Sequence, residues 1–220
     1  MKLPPTKTAR LYIGKLILRS LILALAIAAY AKNGLDIASP SLFVLIVWGI
    51  FMAEMILKHF PSRLESIGSA KQFAVNYMPS GKETPEINKG VALTAALWLL
   101  PNIAIGALHL AGIIPSGIML LLSLAYSVCD MICVLFFCPF QKWLLKNRCC
   151  ATCRIYNWDY MMMFTPLIFV PCLVSYTLVL AALALLLRWE LTAARHPERF
   201  SDRSNARLRC DKCTERLCRR

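Results

Sequence analysis

The sequence predicts an all-α, polytopic integral membrane protein with four to five apolar helical segments and a cysteine-rich C-terminal tail. Of its 220 residues, 58% are hydrophobic and only 17% are charged, whereas a soluble domain has roughly 25% charged residues. Five stretches approach the roughly 20 apolar residues that a helix needs to cross a bilayer. The tail is basic and carries three of the ten cysteines.

The predicted membrane domain covers residues 1–188, and the tail covers residues 189–220. The region from Gly112 to Gly117 joins the third and fourth apolar segments, and its Pro115, Ser116 and Gly117 without any charge predict a tight hairpin on the translocated side. The longest hydrophilic link, residues 58–90, has five basic and three acidic residues and is expected in the cytoplasm. The five apolar segments run over residues 12–31, 41–57, 91–112, 116–137 and 162–188.

The first segment sets the expected orientation in the cell membrane. Lys7, Arg10 and other basic residues precede it without any acid, so the positive-inside rule places the N-terminus in the cytoplasm. The small-x-small sequence at residues 29–31 leaves open a cleaved signal peptide. We expect an uncleaved anchor.

Which side of the membrane the tail occupies is a separate question. Counting five straight spans places the loop before the last segment in the cytoplasm and the tail outside. From Arg188 onward, however, the chain has ten basic and five acidic residues, a balance that favours the cytoplasm. Pro166 and Pro171 break a helix unless protein or water satisfies the backbone. Residues 162–188 therefore form either a straight helix, about 40 Å long, or an irregular segment that leaves the tail and the loop on one side.

Two cysteine clusters flank this last segment, and each contains a Cys-x-x-Cys pair. Such pairs bind structural zinc or an iron–sulfur cluster, and basic neighbours favour the thiolate form that ligates metal. The two pairs are separated by 56 residues, so a shared site depends on the fold. The candidate metal ligands are Cys150, Cys153, Cys210 and Cys213, with Cys149 and Cys218 as alternates.

These residues support a leading hypothesis and two alternatives. The leading one is a multi-pass membrane protein with a thiolate metal centre, structural or redox in role, formed by the loop and the tail. The first alternative is a membrane thiol-disulfide oxidoreductase. The second is a non-enzymatic transport or scaffold subunit that uses Asp130 and Glu54. Juxtamembrane cysteines are also sites of reversible palmitoylation.

Three polar residues fall within or near the apolar segments. Asp130 is costly at that depth unless it faces protein, water or a cation, and Cys129 and Cys133 flank it on one helix. Glu54 is expected to form an ion pair with Lys58 one turn away. His109, near the hairpin, fits an ordinary interfacial histidine.

Several residues predict contacts at the membrane surface. Tyr156, Trp158 and Tyr160 suit an aromatic anchor at the headgroups, with Asn157 and Asp159 as hydrogen-bonding neighbours of the thiolates. A tail that exposed Phe200 and Leu208 to water would be unusual, so these residues predict that it docks. The net charge of +13 favours anionic lipid headgroups as partners. No nucleic-acid motif is present, and the sequence leaves any protein partner or oligomer open.

Overall fold

The structure, a computed structural model, describes residues 6–61, 67–81, 90–147 and 149–213. Within these ranges the chain forms seven α-helices joined by turns and short 3₁₀ segments, without a β-strand. The helices are α1 (Lys7–Asn33), α2 (Leu42–Leu57), α3 (Ile67–Gln72), α4 (Val91–Leu110), α5 (Ser116–Leu135), α6 (Asp159–Phe164) and α7 (Leu173–Arg195).

Helix length and apolarity confirm the predicted class. Four helices, α1, α4, α5 and α7, are long and apolar enough to cross a membrane. The α2 helix is equally apolar but has 16 residues, a length of about 24 Å. Thr6 and Ser41 cap the N-termini of α1 and α2 by accepting backbone N–H bonds.

Helices α1 and α5 run antiparallel over their whole length. Tyr12 near the start of α1 packs with Leu135 at the end of α5. At the opposite ends, a Cβ atom on Gly117 would overlap the Leu35 carbonyl oxygen and would lie 2.8 Å from the Tyr30 ring. Glycine is therefore required for the helices to approach this closely.

Helices α2 and α7 run parallel, so both begin at the same end of the bundle. The Trp48 indole N–H donates to the Thr177 hydroxyl at 2.9 Å. Arg188 and His59 lie eleven residues after Thr177 and Trp48, respectively, and the Arg188 guanidinium donates to the His59 carbonyl. Equal spacing along the two helices fixes their common direction.

Residues 159–172, the last part of the chain between α5 and α7, cross the bundle as a broken segment. It consists of α6, a 3₁₀ stretch at Thr165–Phe169 and extended residues up to the start of α7. Asp159 at its beginning contacts Lys58, and Cys172 at its end donates from its thiol to the Ile37 carbonyl at 3.5 Å. Helical, 3₁₀ and extended rises over these residues add to about 30 Å, the thickness of a bilayer core.

This segment corrects the prediction of one straight helix over residues 162–188. The predicted irregularity at Pro166 and Pro171 is confirmed, but its form differs, because residues 159–172 cross the bundle instead of dipping in and returning. Non-helical backbone is tolerated at this depth because protein surrounds it. Phe164 and Leu167 are almost fully buried, and the Phe169 ring fills the space beside Gly106 of α4.

The crossing places both cysteine clusters at one end of the bundle. We call this the cysteine end, formed by residues 58–61, 67–81, 136–147, 149–158 and 196–213. The opposite, hairpin end consists of residues 34–41, 111–115 and 170–172. Glu190, near the end of α7, accepts a 2.6 Å hydrogen bond from Arg154 and one from Trp158, which fixes the end of α7 beside the cysteine loop.

The tail docks at the cysteine end, as predicted. Phe200 and Leu208 are 3% and 4% exposed. The Ala206 amide donates to the Met78 carbonyl at 2.8 Å, and the Ser80 amide donates to the Ser204 carbonyl at 3.0 Å. Residues 78–80 and 204–206 thus hold the tail by backbone pairing.

Chemical labelling tests this topology. An impermeant maleimide applied to one face of the membrane is expected to modify Cys210 together with a Lys142→Cys thiol, and a Ser39→Cys thiol only from the other face, read by peptide mass spectrometry. All three positions are exposed. Labelling of Cys210 and Lys142→Cys from opposite faces would refute the broken crossing.

Candidate functional site

A cavity of about 230 Å³ lies between α4, α5, α6 and the loop that follows α5. Its wall is mostly apolar. Five cysteines line it: Cys129, Cys133, Cys138, Cys150 and Cys153. The other side chains in its wall include Trp98, Tyr126, Phe140, Gln141, Met162, Met163, Asp130 and Asp159.

A reversal of the chain after α5 brings two of these thiols together. The α5 helix ends at Leu135, and Phe136 leaves helical geometry with φ −123° and ψ −66°. Pro139 then precedes a π-helical turn, Phe140–Leu144, a rare conformation that is frequent at functional sites. The side chains of Cys133 and Cys138 consequently line the same cavity, close enough for Cys133 to act on the ionisation of Cys138.

The environment of Cys138 favours its thiolate. The hydrogen bond from the Cys133 thiol, together with the backbone N–H groups of Gln141 and Phe140, lowers the pKa of Cys138 to about 7. The Gln141 amide nitrogen lies 3.5 Å from the Cys138 sulfur. Cys138 is therefore the most readily ionised thiol identified at the cavity.

The predicted Cys150-x-x-Cys153 pair also reaches this cavity. The Cys150 thiol donates to the Gln141 side-chain oxygen at 2.9 Å and lies 3.9 Å from the Cys133 carbonyl oxygen. Cys153 is 5% exposed, and burial raises its pKa to about 12. Cys150 thus lies next to Cys133, whereas Cys153 stays protonated.

The tail cysteines lie at the same end without completing a metal site in the described residues. Cys210 is exposed within the 3₁₀ segment Cys210–Lys212, and Cys213 follows it. Across the described ranges, no three His, Cys, Asp or Glu side chains are placed to hold a metal ion. Cys218 lies outside those ranges. A centre built from Cys150, Cys153, Cys210 and Cys213, with Cys149 as an alternate, stays a prediction.

Helix α3 connects the two cluster-bearing segments. The Gln72 amide donates to the Ala151 carbonyl between Cys150 and Cys153 at 3.1 Å. One residue earlier, the Lys71 carbonyl accepts a 3.1 Å hydrogen bond from the Asn205 side chain of the tail. The loop and the tail are therefore both fastened to one short helix.

A buried ion-pair network lies next to the cavity and centres on Arg19. Its guanidinium donates to the Ser127 carbonyl at 3.1 Å, to Asp130 at 3.2 Å and to Glu54 at 2.9 Å. Lys15 adds a second pair to Glu54 at 3.0 Å, and the Tyr160 hydroxyl donates to the same carboxylate at 2.9 Å. Arg19 is 4% exposed, so these bonds replace most of its hydration.

The predicted ion pair between Glu54 and Lys58 is wrong. Glu54 faces α1, and the Lys58 ammonium instead lies 4.7 Å above the Tyr160 ring and pairs with Asp159. Tyr160 is 2% exposed, which also corrects its predicted role as a headgroup anchor. The aromatic ring is needed inside the bundle to cover the charges.

The remaining predicted residues have structural partners. Asn157 is bonded to Ser69 at 2.6 Å and to Gln72 at 2.8 Å, and so orients α3 instead of a thiolate. His109 contacts the Ile114 carbonyl at 2.6 Å through Nδ1, within the hairpin. Asp159 lines the cavity and pairs with Lys58.

Sequence reasoning missed Cys138, Gln141 and Arg19. A signal existed for two of them. Arg19 is a charge inside an apolar segment, as costly there as Asp130, and the two charges have opposite sign. Cys138 precedes a proline just past the end of the fourth segment, where a turn back toward Cys133 is favoured.

Comparison with protein-family models, with curated proteins and with solved structures gave no match to this chain.

Removing the Arg19 charge is expected to destabilise the bundle strongly. Arg19→Met leaves Glu54 and Asp130 buried without their main counter-charge, which costs about 3–5 kcal/mol of unfolding free energy. Adding Glu54→Gln and Asp130→Asn should recover part of that loss. Steric trapping in bicelles measures the unfolding free energy.

The matched control is Arg10→Met, the same change at an exposed position of the same helix. It should alter stability by less than about 0.5 kcal/mol. Equal effects of Arg10→Met and Arg19→Met would show that the network does not stabilise the fold.

The lowered pKa of Cys138 predicts how the reactivity of this thiol depends on pH. Its alkylation by iodoacetamide should reach half its maximal rate near pH 7, the lowered pKa of this thiol, because only the thiolate reacts. Cys133→Ala removes the main stabilising hydrogen bond, so the midpoint should shift to higher pH. Peptide mass spectrometry reads the rate at this one thiol. A midpoint unchanged by Cys133→Ala would contradict the assignment.

Proposed function

We propose that this protein is a membrane thiol-disulfide oxidoreductase whose reactive pair is Cys133 and Cys138. The observation that carries the proposal is that these two thiols line one cavity inside the helical bundle, and the effect of Cys133 on the pKa of Cys138 supports it. Neither Cys133 nor Cys138 forms a disulfide in this structure.

The chemistry follows from the different surroundings of the two sulfurs. The Cys138 thiolate attacks one sulfur of a substrate disulfide, forming a mixed disulfide and releasing the first substrate sulfur as a thiolate. The Cys133 sulfur then attacks Cys138, forming the Cys133–Cys138 disulfide and releasing the second substrate thiolate. Two electrons and the Cys133 proton pass to the substrate, and solvent supplies the second proton.

Gln141 is suited to support this exchange. Its backbone N–H points at the Cys138 sulfur, and its side chain accepts from Cys150 and donates to the Asn147 carbonyl at 3.2 Å. Because these bonds anchor both ends of the residue, the amide stays aimed at Cys138. Cys150 lies beside the pair as a third thiol for a later exchange.

Trapping of a mixed disulfide tests the proposal. Cys133→Ala removes the resolving thiol, so the purified protein should retain a mixed disulfide at Cys138 after exposure to bis(2-hydroxyethyl) disulfide. Wild-type protein should instead accumulate the internal disulfide, and Cys138→Ala should form neither product at this pair. Intact-mass and peptide mass spectrometry distinguish the products.

Cys172→Ala is the matched control, because it removes a thiol at the hairpin end. It should behave as the wild type. Mixed disulfides that form equally on Cys133→Ala and Cys138→Ala, or a wild-type protein with no Cys133–Cys138 disulfide, would overturn the proposal.

A second candidate function is the thiolate metal centre formed by the loop and the tail. Its support is the attachment of both cluster-bearing segments to α3, through Gln72 and Lys71. Zinc would fasten the tail structurally, and an iron–sulfur cluster would carry electrons. Such a centre and the Cys133–Cys138 pair use different cysteines, although Cys150 of the centre lies near Cys133.

Metal analysis separates the two candidates. If the centre exists, anaerobically purified protein contains zinc, or iron with acid-labile sulfide, at about one site per chain. Cys210→Ala should then release the metal, while Cys138→Ala should retain it. Wild-type protein without either metal would eliminate this candidate and leave the dithiol proposal intact.

A further inference from the structure

We infer that the cavity beside Cys133 and Cys138 binds a lipid-soluble quinone, which accepts two electrons from the dithiol. This inference rests on the proposed function. Because thiol–disulfide exchange is reversible, the Cys133–Cys138 disulfide also oxidises a substrate dithiol by the same steps in the opposite direction, and the quinone is the oxidant that would regenerate the disulfide after that reaction. The inference is carried by three properties of the cavity: its aromatic lining, its opening on a spanning helix and the charge at its inner wall.

The lining suits a flat apolar ring. Trp98 lies at the centre of an aromatic group, with its ring centroid 4.5 Å from that of Tyr126 and 6.2 Å from that of Phe140. Met162 and Met163 complete the wall with flexible, polarizable side chains. Aromatic rings prefer offset or edge contacts with other rings, so this pocket favours an aromatic or quinoid ligand.

The opening of the cavity indicates how such a ligand enters. Cys129 lies on α5, which is long and apolar enough to span the membrane. Its side chain is exposed and also lines the cavity. The cavity therefore reaches the surface of the bundle at the level of the hydrocarbon, where a lipid-soluble carrier resides.

The charge at the inner wall favours a neutral ligand. Asp130 and Asp159 both line the cavity and each is paired with a cation on its far side, Arg19 and Lys58. The second oxygen of Asp159 is buried and has no hydrogen-bond partner in the described part of the chain. Because each carboxylate is neutralised by its own cation, the wall offers no net charge to hold an ionic ligand, and a neutral ligand such as a quinone fits it better.

The electron and proton balance is complete without another reagent. The Cys138 thiolate and the Cys133 thiol together lose two electrons and one proton as their disulfide bond forms. The quinone gains the two electrons, the Cys133 proton and one proton from solvent at the cysteine end, and leaves as the hydroquinone. Transfer between a thiolate and a quinone requires contact, which the shared cavity wall provides.

The test uses reduced wild-type protein in lipid nanodiscs under anaerobic conditions. A fully substituted short-chain benzoquinone is the probe, since it has no free ring position for a thiol to add to. The expected result is one quinone reduced for each Cys133–Cys138 disulfide formed. Quinone absorbance measures the reduction, and peptide mass spectrometry measures the disulfide. Reduction of quinone without that disulfide would overturn the inference.

Cys129→Trp blocks the opening and Ile132→Trp is its matched control, since Ile132 is exposed on α5 but lies outside the cavity wall. Cys129→Trp should slow oxidation by quinone about tenfold or more, as expected when a bulky ring overfills a packed site. Ile132→Trp should leave the rate within about twofold. Equal rates in the two variants would contradict entry at Cys129.

A parallel reaction with bis(2-hydroxyethyl) disulfide separates this inference from the proposed function. If that reagent forms the Cys133–Cys138 disulfide and the quinone does not, the quinone inference fails and the oxidoreductase proposal stands. If neither reagent forms the disulfide, both fail.

Discussion

The bundle buries the guanidinium of Arg19, and groups on the neighbouring helices must neutralise its charge. Burying it is favourable only because carboxylates and a carbonyl replace water around it. Those partners lie on α2 and α5, and the Tyr160 hydroxyl on α6 reaches the same Glu54 carboxylate. Three basic groups, Lys15, Arg19 and Lys58, face three carboxylates, Glu54, Asp130 and Asp159. A sliding of any of these helices by one turn would leave a charge unpaired, so the network fixes their register.

That register determines where the sulfur chemistry lies. Because Asp130 is held by Arg19, the end of α5 is fixed, and Cys133 lies one helical turn beyond the ion pair. Because Tyr160 and Asp159 are held by α2, the broken segment starts at the cysteine end and crosses through protein. Helix α7 then returns, so the loop and the tail meet at one end. The dithiol, the cavity and the two cysteine clusters are thus positioned by one electrostatic network.

The sequence contained enough information for the class of fold and little for the contacts. Apolar length predicted every spanning helix, and Pro166 and Pro171 marked the irregular segment, since both effects are local. The partner of Glu54 was not predictable from spacing, because Lys58 is nearer in the chain but Arg19 is nearer in space. The Cys-x-x-Cys spacing likewise drew attention to Cys150 and Cys153, whereas the proposed reactive pair is Cys133 and Cys138. The placement of these two thiols at one cavity depends on a π-helical turn that no short motif specifies.

The most direct test of this account is a redox titration of the wild-type protein in nanodiscs, with dithiothreitol buffers and differential alkylation. Peptide mass spectrometry then gives the oxidation state of each cysteine against potential. The account predicts a reversible Cys133–Cys138 disulfide that titrates as a two-electron couple, with about 30 mV for each tenfold change in its ratio. Oxidation that joins Cys150 to Cys153 while Cys133 and Cys138 stay reduced would contradict it.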